Sequence, residues 1–208
     1  MKLIVITPSS TIEDEHYILG KMLDMGLATL HVRKPKLSKK ELGIYLNGFT
    51  QSQQKKIILH THYSLMWNFN LKGLHVSKRH RKKRIKFAIR KAILHLRRGN
   101  FQIGASCESF QSLADLYKDF DYIFISPVFP GLNGHLPGIN MDSMKKILPS
   151  YPEKVIARGG TAPDNIGTAH KLGFAGVVFQ EYIWENPEPL VSFQKILDAF
   201  HEEGLTLE

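Results

Sequence analysis

Cysteine is nearly absent: Cys107 is the single one in 208 residues. No intrachain disulfide is possible, which suits a reducing compartment such as the cytoplasm. Long apolar runs are missing too. No stretch approaches the ~18 residues that a membrane span needs, so no membrane partner is expected. The opening MKLIVITPSS has one lysine and too short an apolar stretch for a secretory signal, and reads as a first strand. No linker, low-complexity tract or break in composition divides the chain, so residues 1–208 are expected to form one domain.

Acidic residues are lacking from one segment in particular. Between Lys78 and Arg98 lie eleven Lys and Arg and no Asp or Glu. Of 28 basic residues that leaves 17 elsewhere, against 19 acidic ones, so the formal charge of +9 belongs to this segment. Such a run can touch nucleic acid. Here Ile85, Ala88, Ile89, Ala92, Ile93 and Leu96 recur at helical spacing, and no repeated pattern of aromatic residues interleaves with the charges. The expectation is a helix with a solvated basic face, not a nucleic-acid surface.

What is present is alternation. Eight short apolar runs read as strands: Leu3–Thr7, Ala28–Val32, Lys56–His60, Gly73–Val76, Phe101–Ala105, Tyr122–Ser126, Val155–Gly159 and Gly176–Gln180. Helical patterns at Ile12–Met25, Lys39–Gln53, Ser109–Phe120, Met141–Leu148, Pro163–Leu172 and Leu190–His201 fall between or after them. Strand–helix alternation implies parallel strands joined by crossovers. Eight units predict a closed (β/α)₈ TIM barrel; an open doubly wound sheet is the alternative.

A barrel of this kind carries its chemistry at the C-terminal ends of its strands. Those ends read Thr7-Pro8, His31 and Arg33, His60 and His62, His75 and Ser77, Ser106, Ser126-Pro127, Gly159-Gly160 and Glu181. Side chains alternate along a strand, so His31 and Arg33 are expected on one face, as are His60 and His62. A guanidinium among imidazoles and hydroxyls suits an anion. Gly159-Gly160 before a helix start can present bare N–H groups to a phosphate, or can simply be a tight turn at positive φ. The His60-Thr61-His62 pattern, with His31 or His75 as a third ligand, also permits a zinc site and hence a metal enzyme.

In order along the chain, LHVRK, GLHVS, IGASCES, ISPVFPG, IARGGTAPDNI and GFAGVVF resemble motifs of the thiamine phosphate synthase/TenI (thiazole tautomerase) family, from Leu3 to about Trp184. The resemblance implies a TIM barrel that binds a thiazole phosphate, and a pyrimidine diphosphate in the synthase, which joins the two with Mg²⁺. It also implies a homodimer. By position Arg33, Ser106, Ser126, Gly159, Gly160 and Asn165 are retained, and the resemblance implies that the first five are substrate-side residues. His31, His60, His62 and His75 are the candidate acid–base groups.

Departures from the family pattern are as informative. The Asn-Asp pair after strand three falls on His60 and Thr61, and an Asp placed just before Gly-Val-His falls on Lys72. Both expected magnesium carboxylates are thereby replaced. The strand-two lysine falls on Pro35, between Lys34 and Lys36; the strand-six threonines and lysine fall on Gly131, Asn133 and Gly134 or His135. The tautomerase histidine after strand six falls on Ser126 or Pro127, and the small residue after strand eight on Gln180 or Glu181. Synthase competence is therefore not expected, although Lys34, Lys72 and the histidines offer cations in place of the metal. A ligand-binding or regulatory barrel is the non-enzymatic alternative. Glu181 would repel a phosphate if it pointed inward.

Overall fold

A computed structural model describes residues 1–77, 101–131, 134 and 140–207. The basic segment and most of the loop after strand six, including Asn133 and His135, lie outside the described residues.

The eight expected strands are all present: β1 (Lys2–Ile6), β2 (Thr29–Val32), β3 (Ile57–Leu59), β4 (Gly73–Val76), β5 (Gln102–Cys107), β6 (Tyr122–Ile125), β7 (Val155–Arg158) and β8 (Gly176–Phe179). Each pairs in parallel with its neighbours, and β8 pairs with β1 through Lys2↔Gly176 and Ile4↔Val178, so the sheet is a closed barrel. The open sheet is excluded.

Strand parity sorts the core into two compartments. Outward residues such as Leu3, Val5, Leu30, Ile57, Ile123 and Val177 pack against Leu19, Met22, Leu42, Leu46, Phe193 and Ile196 of the surrounding helices. Inward residues Ile4, Ile6, Ile58, Tyr122, Phe124, Ile156 and Val178 form a separate cluster along the barrel axis. Gly104 is part of that filling: a Cβ there would run into the Tyr122 ring. The small inward residue is what lets the tyrosine cross the axis.

Helix boundaries follow their caps. Ser38 and Glu41 form a capping box for the helix Lys39–Asn47, and Thr50 and Gln53 form a second one for Gln51–Gln54. The single helix expected over Lys39–Gln53 is therefore two, because Thr50 takes extended backbone to cap the second. Asn140 caps the helix Met141–Ile147, and Ser109 caps Phe110–Tyr117. After β3 there is only a 3₁₀ turn, Tyr63–Trp67, and after β7 a 3₁₀ turn, Pro163–Asn165, runs into the six-residue helix Ile166–Lys171. Among the described residues no helix is long and apolar enough to cross a membrane.

Lys34 is not a site cation. It is 1% exposed, bonds Glu15 at 2.7 Å and donates to the Ser10 carbonyl at 2.8 Å. The Tyr45 hydroxyl also donates to Glu15. Position 34 has the opposite parity to His31 and Arg33, so it faces the helix Glu15–Asp24 rather than the axis. Replacing Lys34 with Met should lower stability by about 3–5 kcal/mol, because a buried carboxylate is left unpaired. Urea titration will read this, and a Lys34→Met/Glu15→Leu double variant should recover much of the loss.

Candidate functional site

Four inward positions near the strand ends bring the polar residues together. His31 on β2 is fully buried, and its Nδ1 lies 2.9 Å from His60 Nε2, just past β3. One of these nitrogens donates and the other accepts, according to tautomer. His60 stacks on His75 of β4 at 4.5 Å between ring centroids and 15° between planes. The other face of the group rests on Phe124, 4.6 Å from His75 and 5.0 Å from His31. His75 Nε2 bonds Ser106 Oγ at 2.8 Å, and its Nδ1 meets the Tyr122 hydroxyl at 3.2 Å. Three imidazoles, a phenol and a serine hydroxyl thus form one contiguous polar group inside the barrel.

Electrostatics keep His31, His60 and Tyr122 uncharged. Burial holds the His31 imidazole well below its ordinary pKa, with His75, Lys72 and Arg158 adding repulsion. Burial does the same to His60, reinforced by His75, His31, Arg158 and Arg33. Burial likewise raises the Tyr122 phenol, helped by Asp121 and Tyr63. Two like charges 4 Å apart cost about 4 kcal/mol even at an effective dielectric of 20, so neighbouring imidazolium ions are not a stable arrangement here.

A cationic rim stands above. Arg33 continues the inward parity of His31; its Nη1 donates to Ser9 Oγ at 2.8 Å, and its N–H donates to Thr7 Oγ1 at 3.0 Å. Arg158 ends β7 and repels Arg33 enough to add to the effect of burial in lowering its own pKa, while Glu181 opposes both. Its Nη2 reaches Gln180 Oε1 at 3.4 Å. Gln180 is therefore the strand-eight residue that meets the rim. Glu181 is exposed at the start of the four-residue helix Glu181–Trp184, which Trp184 pins by donating to the Ile6 carbonyl at 2.7 Å.

Gly159 and Gly160 adjoin Arg158 at φ +87° and +63°. A Cβ on Gly159 would crowd Pro127 and the Ser126 hydroxyl, and one on Gly160 would strike the carbonyls of Phe129 and Pro130. Positive φ and close packing against the Ser126–Pro130 segment therefore already demand both glycines. Ser126 is brought beside Gly159 by the same packing. Among the described residues the N–H groups of Gly159 and Gly160 make no hydrogen bond, so they remain available as donors. Asn165 is a brace: it accepts from the Ala162 N–H and donates to the Gly160 carbonyl.

Two positions fall elsewhere. His62 does not join His60. β3 ends at Leu59, and the left-handed backbone at His62, φ 48°, turns its ring outward to the Leu37 carbonyl at 2.9 Å. Lys72 lies at the opposite, N-terminal end of the barrel, bonded to Thr29 Oγ1 and the Ala28 carbonyl. There it lines a cavity of about 220 Å³ with Lys2, Gln102 and Asp121. It neither replaces a metal ligand nor offers a cation at the mouth. Arg158, Tyr122 and Ser9 are the contributors that sequence reading passed over as site residues. The inward parity shared by Ile156 and Arg158, and by Tyr122 and Phe124, was the signal for two of them; Ser9 left none.

The model of the thiamine monophosphate synthase family matches residues 3–183. A thiamine phosphate pyrophosphorylase from Bacteroides thetaiotaomicron superposes with a TM-score of 0.79 at 23% identity, covering 97% of this chain and 98% of that one. One from Pyrococcus furiosus gives 0.77 at 19%, covering 97% and 96%. The 3-hexulose-6-phosphate synthase of Salmonella typhimurium gives 0.68 at 14%, covering 98% and 100%. No curated protein sequence matches the chain.

The buried imidazoles predict acid lability. His31 and His60 are neutral in the fold, whereas in the unfolded chain they take up protons below about pH 6.5. Their contribution is full above that pH and is lost as pH falls toward the depressed folded values. The slope is up to about 1.4 kcal/mol per pH unit for each residue. Urea midpoints measured from neutral pH to about one and a half units below should fall steeply, and His60→Gln should flatten the dependence.

Proposed function

Since this chain belongs to the thiamine monophosphate synthase family, we propose that it is a thiamine-biosynthesis barrel that binds a thiazole phosphate and moves a proton on it. Proton transfer of the tautomerase kind, not magnesium-assisted coupling to a pyrimidine diphosphate, is the chemistry its residues suit best. The observation that carries this reading is the Arg33–Arg158 rim above a neutral, hydrogen-bonded imidazole group.

Each part has a role in that reading. Arg33 and Arg158 are the counter-charges for a phosphate dianion, and the free N–H groups of Gly159 and Gly160 with the Ser126 hydroxyl complete its seat. Glu181 tempers the rim from outside. Burial and the neighbouring imidazoles do most to hold His60 neutral, and the two guanidinium ions add to it; an anion bound at the rim offsets that last share and so raises the basicity of the imidazole beneath. His60 retains some accessible surface while His31 is fully buried behind it. His60 is therefore the group to take a substrate proton, and His31 the group that steadies the charge through their shared hydrogen bond. Ser106, oriented by His75, is a donor for the heterocycle.

Magnesium fits poorly. It prefers carboxylate oxygen, and among the described residues no Asp or Glu joins the three histidines. Outside the described residues the sequence has one acidic residue, Glu208.

Isothermal titration with thiazole phosphate should give saturable binding without Mg²⁺. Arg33→Ala and Arg158→Ala should each weaken it by roughly 10- to 100-fold, the worth of a charge-assisted bond. Solvent-deuterium exchange into the thiazole ring should proceed with wild type and be lost in His60→Gln. Absence of binding sinks the reading, and so does Mg²⁺-dependent formation of thiamine phosphate.

A further inference from the structure

We propose that His31, His60 and His75 form a binding site for one divalent transition-metal ion of the zinc, cobalt or nickel class. The inference goes beyond the thiazole reading: a chain that bound no thiazole phosphate could still hold this ion, and the reverse.

Two observations carry it. One nitrogen from each ring lies within 4.8 Å of the others, and the rings come from three adjacent strands of the barrel. The donor set is all imidazole, which suits zinc, nickel, copper and iron and disfavours magnesium and calcium.

The geometry needs limited adjustment. The 2.9 Å His31–His60 spacing opens by roughly half an ångström to become the edge of a tetrahedral site with metal–nitrogen bonds near 2.1 Å. His75 moves inward and releases one of its two hydroxyl partners. The other, Ser106 or Tyr122, stays on the second ring nitrogen and fixes ring orientation, as the outer partners of ligating histidines do. Three protein ligands leave a further position for water or an anion, and Arg33 and Arg158 at the rim favour an anion there.

The test uses the full chain, stripped with chelator and dialysed against Co²⁺ or Zn²⁺ without phosphate ligand. Elemental analysis should find one tightly held ion per chain, and Co²⁺ should give the intense visible absorption of a four-coordinate nitrogen site. His60→Ala and His75→Gln should each abolish uptake, with circular dichroism reporting that the fold is kept. Ser106→Ala should weaken uptake by about 10- to 100-fold, and His62→Ala should leave it unchanged. No retained ion overturns the proposal. Uptake insensitive to both His60→Ala and His75→Gln, or a thiolate charge-transfer band from Cys107, overturns it equally.

Discussion

Imidazoles placed side by side on the axis of a closed barrel cannot all be charged, and they cannot escape one another. Adjacent strands lie about 4.8 Å apart, and parity sends His31, His60 and His75 inward from three consecutive strands. Burial keeps His31 and His60 neutral, and the rings satisfy each other. His31 bonds His60, and His75 takes the hydroxyls of Ser106 and Tyr122. Much else follows from that arrangement. Gly104 makes room for the Tyr122 ring, Phe124 supplies the apolar floor, and the cations are kept to the rim at Arg33 and Arg158.

The site that results departs from a metal–carboxylate centre while keeping the frame of its family. The barrel closes as in thiamine phosphate pyrophosphorylases, and Gly159-Gly160 turns as the motif demands. Carboxylates are kept away from the histidines. Glu15 is consumed by Lys34, and Glu181 lies outside while Gln180 meets the rim. In the proposed function, an anion arriving at the arginines removes the share of repulsion that they add to burial, and so links binding to proton transfer through charge.

Much of this was legible in the residues. Eight apolar runs separated by helical patterns specify the barrel, and period-two alternation places His31, Arg33, His75 and Ser106 at its mouth. What stayed hidden depended on where regular structure stops. Parity was extended from His60 to His62, but β3 ends at Leu59 and a left-handed turn intervenes. Lys34 looked free because its buried partner, Glu15, lies on a helix nineteen residues earlier. Lys72 was positioned by counting along a motif, and only the start of β4 reveals that it belongs to the far end of the barrel. Arg158 and Tyr122 became visible as site residues once the register fixed which face of β6 and β7 looks inward. The glycine pair carried two meanings at once, phosphate donor and packing necessity, and composition alone does not separate them.

The central claim is that this barrel holds a neutral, mutually bonded imidazole cluster in place of a charged one. Nitrogen-15 NMR of the histidine rings tests it most directly, because shifts report tautomer and protonation ring by ring. His31 and His60 should remain neutral through mildly acidic pH, with complementary donor and acceptor nitrogens. Titration of His31 and His60 as independent imidazoles near their ordinary pKa would contradict the account.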